Sequence, residues 1–321
     1  MVNIGYHASH EQFLPSDLLK YVLKAQQAGF TLSLSSDHFH PWSERQGNSG
    51  FAWSWLGAAL QATTLDFGVV NAPGQRYHPA IIAQAAATLS EMFPERFWIA
   101  VGSGQAMNEK INGEVWPVKR ERNARLKECV DIMRALFDGE TVTHQGLIKV
   151  EEAKLYSRPA VAPKIIGAAI TPGTAKWVGS WADGLITVSK PPAELRKVVD
   201  AFHSGGGEGK PMYLKVQLSY HASEETALMG AYDQWRENIF DSILLTDLRS
   251  PKQFEAAAKF VTPEEIRSGV RVSSDISQHI DWLNEDINLG FNNLILHNVN
   301  REQEQFIDAF GEKVLPMFNN I

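Results

Sequence analysis

The chain has 321 residues, 44% of them hydrophobic, and a formal net charge of −7. That is apolar material for a core the size of one β/α barrel, and the negative charge, with no run of Lys and Arg, argues against nucleic acid as a partner. The single cysteine, Cys129, excludes an internal disulfide. No stretch approaches the ~20 apolar residues of a membrane span, so a cytoplasmic protein with no membrane partner is expected.

Strand-like and helix-like segments alternate along the chain. Residues 2–6 are short and apolar and read as a first strand rather than a signal peptide. A helix over 16–28 stops at Gly29. Strands follow at 31–35, 65–70 and 97–101, separated by helices over 52–63 and 80–92, the second opened by Pro79. A long helix over 119–137 carries Cys129 on its apolar face, which suits a buried structural thiol. Residues 141–156 break the rhythm as a β-hairpin. Strands at 164–168, 184–188 and 213–219 come next, with helices over 172–181 and from 192. Residues 224–269 are polar and helical and read as an insertion. A short strand at 270–273, a helix over 276–288, a strand at 293–296 and a helix over 301–317 close the chain. Eight core strands, nearly all followed by helices, predict a (β/α)8 TIM barrel spanning residues 1–321 as a single domain. A doubly wound open sheet would use fewer strands and a Gly-rich first turn.

Barrel chemistry sits at the C-terminal ends of the strands. The richest such end is Ser36-Asp37-His38-Phe39-His40-Pro41-Trp42, a carboxylate, two imidazoles and an indole directly after a buried strand. His38 and His40, with His7 and His297, raise a metal-hydrolase reading. Pro41 opposes it by ending strand regularity. Gly102-Ser103-Gly104 would let a flat ring or a phosphate approach the backbone. Gly167 to Thr174 joins a strand to a helix, and two readings stay open there. One is an anion site at a helix N-terminus. The other is an ordinary cap, with Thr171 at the N-cap and Pro172 at the first helical position. Trp53 and Trp55 are assigned to packing of their helix on the barrel.

These motifs carry a resemblance. Gly5-Tyr6-His7-Ala8-Ser9-His10-Glu11-Gln12-Phe13, Ser36 to Trp42, Arg76-Tyr77-His78-Pro79-Ala80, Val101 to Glu109 and Gly290-Phe291-Asn292-Asn293-Leu294 are similar to the bacterial luciferase-like superfamily of flavin- and deazaflavin-dependent oxidoreductases. Within it they resemble the coenzyme F420-dependent glucose-6-phosphate dehydrogenase branch. The resemblance implies a luciferase-like barrel with a cofactor at the strand ends. Asp37, Asn71, Gly104, Asn108, Gly167, Thr171, Gly173 and Thr174 would bind it, with Asn71 beside a non-prolyl cis peptide. His38, Trp42 and Gln105 would line the reacting centre.

Three departures from that branch bear on the cofactor and substrate. Gln105 stands where the branch has a proton-donating glutamate, and an amide cannot give up a proton at neutral pH, so acid–base work falls to His38. The insertion offers neutral residues near Leu245 and Gly269, where the branch holds a sugar phosphate with cations, so glucose 6-phosphate is not expected as substrate. The loop Asn71-Ala72-Pro73-Gly74-Gln75 is about one residue shorter. Together these lead to an FMN-dependent oxidoreductase or monooxygenase acting on a small molecule, served by a separate flavin reductase and assembled as a homodimer. The alternatives are an F420-dependent dehydrogenase with a substrate other than a sugar phosphate, and a flavin-binding barrel without catalysis.

Overall fold

The computed structural model describes residues 2–318; Met1 and residues 319–321, the outer ends of the expected domain, lie outside them. The strands are β1 (Asn3–Ala8), β2 (Leu32–Ser36), β3 (Asp66–Asn71), β4 (Phe97–Val101), β5 (Val142–Gln145), β6 (Lys149–Ala153), β7 (Ile165–Ala168), β8 (Gly184–Val188), β9 (Met212–Ser219), β10 (Arg271–Val272) and β11 (Asn293–Asn298). Eight of them run parallel in the order β9, β11, β1, β2, β3, β4, β7, β8, and β8 pairs back onto β9, which closes a (β/α)8 barrel. The pair β5–β6 is an antiparallel hairpin outside it, and β10 adds two residues to the edge of β9. Among the described residues no helix is long and apolar enough to cross a membrane.

The helices stop where their sequences say they should. Pro15–Ala28 begins on a proline and ends at Gly29, whose φ of 101° is the left-handed conformation that glycine adopts without strain. Their apolar faces cover the outside of the barrel. Inside it, Leu32, Leu34, Trp98, Ala100, Ile166, Ile186, Tyr213 and Ile295 form a separate plug. Trp98 and Tyr213 lie with ring centroids 4.3 Å apart, and a side chain at Gly68 would overlap the Trp98 indole. The glycine in β3 thus makes room for the largest residue of the plug.

Two strands run past their expected ends. β1 continues through His7 to Ala8, and β11 through His297 to Asn298. Polar residues there looked like the start of loops, but both histidines alternate inward, one layer above the apolar plug. A short helix, Ala106–Glu109, follows β4. Cys129 is buried against the turn at Gly74, and burial pushes its thiol up to about 12, as suits a packing residue.

Four buried histidines, His7, His10, His279 and His297, have their pKa lowered, with burial the main cause in each. A folded-state pKa below the ordinary 6.5 means that the unfolded chain binds more protons in the window between the two values, so stability is lost as pH falls through it. We expect the urea midpoint to drop steeply from about pH 6.5 toward pH 4. His279→Gln should remove up to one proton from that slope, about 1.4 kcal/mol per pH unit, since His279 titrates near 4 in the fold; an unchanged slope contradicts the assignment. Gly68→Ala should destabilise by about 1–3 kcal/mol in the same assay through overpacking against Trp98.

Candidate active site

The site lies at the C-terminal mouth of the barrel. Its centre is a contact between two loops. Glu11 follows β1 and is buried; His38 follows β2 and keeps 21% of its side chain exposed, and His38 Nδ1 lies 2.5 Å from Glu11 Oε1. The other carboxylate oxygen, Oε2, accepts from the hydroxyls of Ser9 at 3.0 Å and Ser36 at 2.8 Å. Burial raises the Glu11 carboxyl, but His38, His7 and Lys215 together outweigh it and hold the pKa well below the ordinary value. With Nδ1 engaged, His38 has Nε2 left for a ligand. Trp42 meets the His38 ring edge-on at 5.4 Å and is itself packed against Phe254 of the insertion at 5.2 Å.

A second network fixes the loop that carries His38. The Asp37 carboxylate accepts from Asn71 Nδ2 at 2.7 Å, Trp53 Nε1 at 3.0 Å and the Tyr77 hydroxyl at 3.2 Å, while Arg76 donates to the Asp37 carbonyl at 2.6 Å. Arg76 lies 3.6 Å from both Asp37 and Glu109. Burial pushes Glu109 up to about 7, with Arg76 pulling the other way. Asn108 Oδ1 accepts from the backbone N–H groups of Phe39 and His40 at 2.9 and 3.0 Å, and His40 Nδ1 donates to the Met107 carbonyl at 3.0 Å.

The residues singled out from the sequence divide accordingly. His38 and Trp42 adjoin each other. Gln105 precedes the helix Ala106–Glu109, and its side-chain oxygen accepts from Asn108 at 3.4 Å. Asp37 and Asn108 spend polar atoms on holding the His38 loop. A side chain at Gly167 would strike Val178, so this glycine allows the helix Pro172–Gly179 to approach β7. Thr171 caps that helix by accepting from Thr174 N at 3.4 Å, and its hydroxyl donates to Thr174 Oγ1 at 3.0 Å. Thr171 is thus the N-cap of that helix, with Pro172 at its first position. Gly173 has open space around it. No peptide bond among the described residues is cis, so the non-prolyl cis peptide expected beside Asn71 is not present. Gly104 has φ 77°, and a side chain there would come within 2.7 Å of Glu109.

His38 and His40 point to different partners, and among the described residues no group of three or more His, Cys, Asp or Glu is placed to hold a metal. A flat heteroaromatic ring fits better. Asn71 Oδ1, at the end of β3, and Gln75 Nε2, on the loop after it, are buried without partners among the described residues, one an acceptor and one a donor, as the edge of a flavin-type pyrimidine would need. Gly102 lies beside Ala168, so small residues floor the mouth there. Lys119 donates to Ser103 Oγ at 2.9 Å next to that floor, a cation available to an anionic side chain.

Sequence reasoning missed Glu11, Glu109 and Lys215. The signal for Glu11 was a lone carboxylate in an otherwise apolar and histidine-rich turn. Lys215 sits mid-strand in an apolar run, where a lysine has no reason to be unless it faces a polar lumen.

Comparison with known proteins agrees with this geometry. The chain is 34% identical to an F420-dependent glucose-6-phosphate dehydrogenase of Beutenbergia cavernae, covering 98% of this chain and 97% of that one. It is also 34% identical to the protein of the same name from Microbacterium testaceum, over 98% and 97%. Among solved structures it resembles an F420-dependent secondary alcohol dehydrogenase in complex with an F420-acetone adduct, with a TM-score of 0.91, 30% identity and 98% of each chain covered. Residues 2–293 match the model of the luciferase-like monooxygenases, so the chain belongs to the luciferase-like family of oxidoreductases.

Proposed function

We propose that this protein is a deazaflavin-dependent dehydrogenase that interconverts a small, uncharged alcohol and its carbonyl compound. The observation that carries the reading is the Glu11–His38 pair opening onto an apolar wall. Trp42 and Phe254, with Met107, Trp235, Ile266 and Val270, form one buried cluster beneath the insertion, and Leu245 packs against it. Gly269 lies against Ile239. The arginines nearby are already paired, Arg267 with Glu224 and Arg271 with Asp286. The cluster itself offers a phosphate dianion no cation, whereas a neutral substrate would lose little on entering it.

The FMN expectation gives way here to coenzyme F420. Full-length relatives at 30% identity and above carry F420 in their names, and the features that suggested FMN, Gln105 and the short 71–75 loop, alter the surroundings of the ring without removing the donors and acceptors that would hold it. The Gly102–Gly104 turn, Asn71 and Gln75 would hold the ring, and Lys119 its anionic tail. When bound, F420 supplies the hydride chemistry. The chain's own residues handle the proton. In the direction of alcohol oxidation, the hydroxyl proton passes to His38 Nε2 while Nδ1–H stays on Glu11, which stabilises the resulting imidazolium; in the reverse direction Nε2 returns it. Trp42 fixes the ring plane of His38 and keeps water from that face. Gln105 can orient a substrate oxygen by hydrogen bonding but adds no second acid.

Two measurements test the reading. Titration of the apoprotein should show tight binding of F420 and at least ~10-fold weaker binding of FMN, a difference of about 1.4 kcal/mol; tighter binding of FMN would sink the deazaflavin assignment. His38→Ala should lower kcat by about 10²–10⁴ with the F420 Kd changed by less than about threefold. Full turnover in that variant would remove His38 from the chemistry.

A further inference from the structure

Three polar side chains on one patch of the lumen wall have hydrogen-bonding capacity that their neighbours do not use. Lys215 and Gln217 of β9 alternate inward with Tyr213 of the lumen plug. His297 of β11 is paired in register with Gln217 and alternates inward with Ile295 of the same plug. Lys215 Nζ makes no hydrogen bond or ion pair among the described residues and lies 5.4 Å from the centre of the Trp235 ring. His297 meets the same indole edge-on, with ring centroids 4.6 Å apart. Trp235 belongs to the buried cluster that contains Trp42, and Trp42 in turn meets His38, so this patch and the reacting centre share one wall.

The network around each group fixes what it can offer. Gln12 Nε2 donates to the Val299 carbonyl at 2.7 Å. A carbonyl can only accept, so Gln12 turns Oε1 toward His297 Nε2 at 2.9 Å. The proton of His297 therefore sits on Nε2, and burial, with Lys215 adding to it, keeps that ring neutral. Its Nδ1 is a bare acceptor, buried and without a partner among the described residues. Ser189 Oγ accepts from the Gln217 backbone N–H at 3.1 Å and donates to Gln217 Oε1 at 2.7 Å, which leaves the Gln217 amide nitrogen as a donor. The Lys215 ammonium is a second donor. Two donors and one acceptor are the complement of a hydroxyl group, which accepts twice and donates once. A carboxylate or a ketone has no proton for His297 Nδ1, and an ammonium group would meet Lys215 as a like charge.

We propose that the substrate is a neutral alcohol with a second hydroxyl group, and that Lys215, Gln217 and His297 are the specificity-determining residues that hold this hydroxyl. The inference rests on the dehydrogenase reading for its kinetics but not for its binding. A site built to hydrogen-bond a hydroxyl rejects the analogue that lacks it, because the site's polar groups are then left unpaired. The test uses the F420-loaded protein with isopropanol, propylene glycol and glycerol as probes. At least one of the two polyols should be oxidised with a kcat/KM about tenfold or more above that of isopropanol. Lys215→Met and Gln217→Leu should each bring that ratio to within about threefold of one. Binding is read from the nitrogen NMR signal of His297 Nδ1, which should move to its hydrogen-bonded position with the preferred polyol and stay in place with isopropanol. An Nδ1 signal unmoved by either polyol overturns the proposal and leaves a bound water as the occupant of the patch. So does oxidation of isopropanol as efficient as that of the polyols. If a polyol moves Nδ1 but no alcohol is oxidised, the hydroxyl site stands and the dehydrogenase reading fails. A variant that does not fold, judged by circular dichroism, is replaced by Lys215→Gln or Gln217→Met. A polyol preference that survives in folded variants at both positions contradicts the assignment.

Discussion

The contact between Glu11 and His38 is the constraint around which the mouth of this barrel is arranged. It joins two loops that follow neighbouring strands, and it takes a carboxylate out of water. Burying that charge is tolerable only because the surroundings answer it: serine hydroxyls at one oxygen, an imidazole at the other and an ammonium facing the same lumen. The second network, through Asp37, Arg76 and Glu109, has a different task. It anchors the backbone on which His38 is carried, and Asn108 does the same from the far side. Rigid placement of one imidazole therefore draws on β1, β2, β3 and the segment after β4.

Much of the fold is legible in the sequence because the lower barrel is built from apolar strands with clear helix stops between them. Leu32, Leu34 and Ile295 mark their strands, and Gly29 and Pro79 mark helix ends. The upper barrel was harder to read. A polar side chain usually signals exposure, so His7 and His297 resemble loop residues in the sequence, yet the mouth of a barrel is a buried polar place. The same bias hid Lys215. An inward-facing position is usually apolar, but not one layer below the polar mouth of a barrel.

The candidate site shows a related split. His38 stood out because a histidine after a buried strand has few structural uses. Asp37, Asn108 and Thr171 stood out for the same reason but turn out to hold backbone and side chains in place. Gly167 makes room for the helix that follows it. A sequence motif reports that a residue type is required; only the packing around it shows whether a ligand or a neighbour requires it. For the cofactor, single differences such as Gln105 pointed toward an ordinary flavin, while the chain as a whole is similar to proteins named for F420.

The reaction proposed for this site is a two-electron exchange between an alcohol carbon and a deazaflavin. Its most direct test is isotope transfer: incubate the protein with F420 and neutral secondary alcohols deuterated at the carbinol carbon, then weigh the reduced cofactor. The account predicts one deuterium on the cofactor and a ketone whose oxygen comes from the alcohol. A cofactor free of deuterium, with oxygen from O₂ in the product, would contradict it and make the protein a monooxygenase.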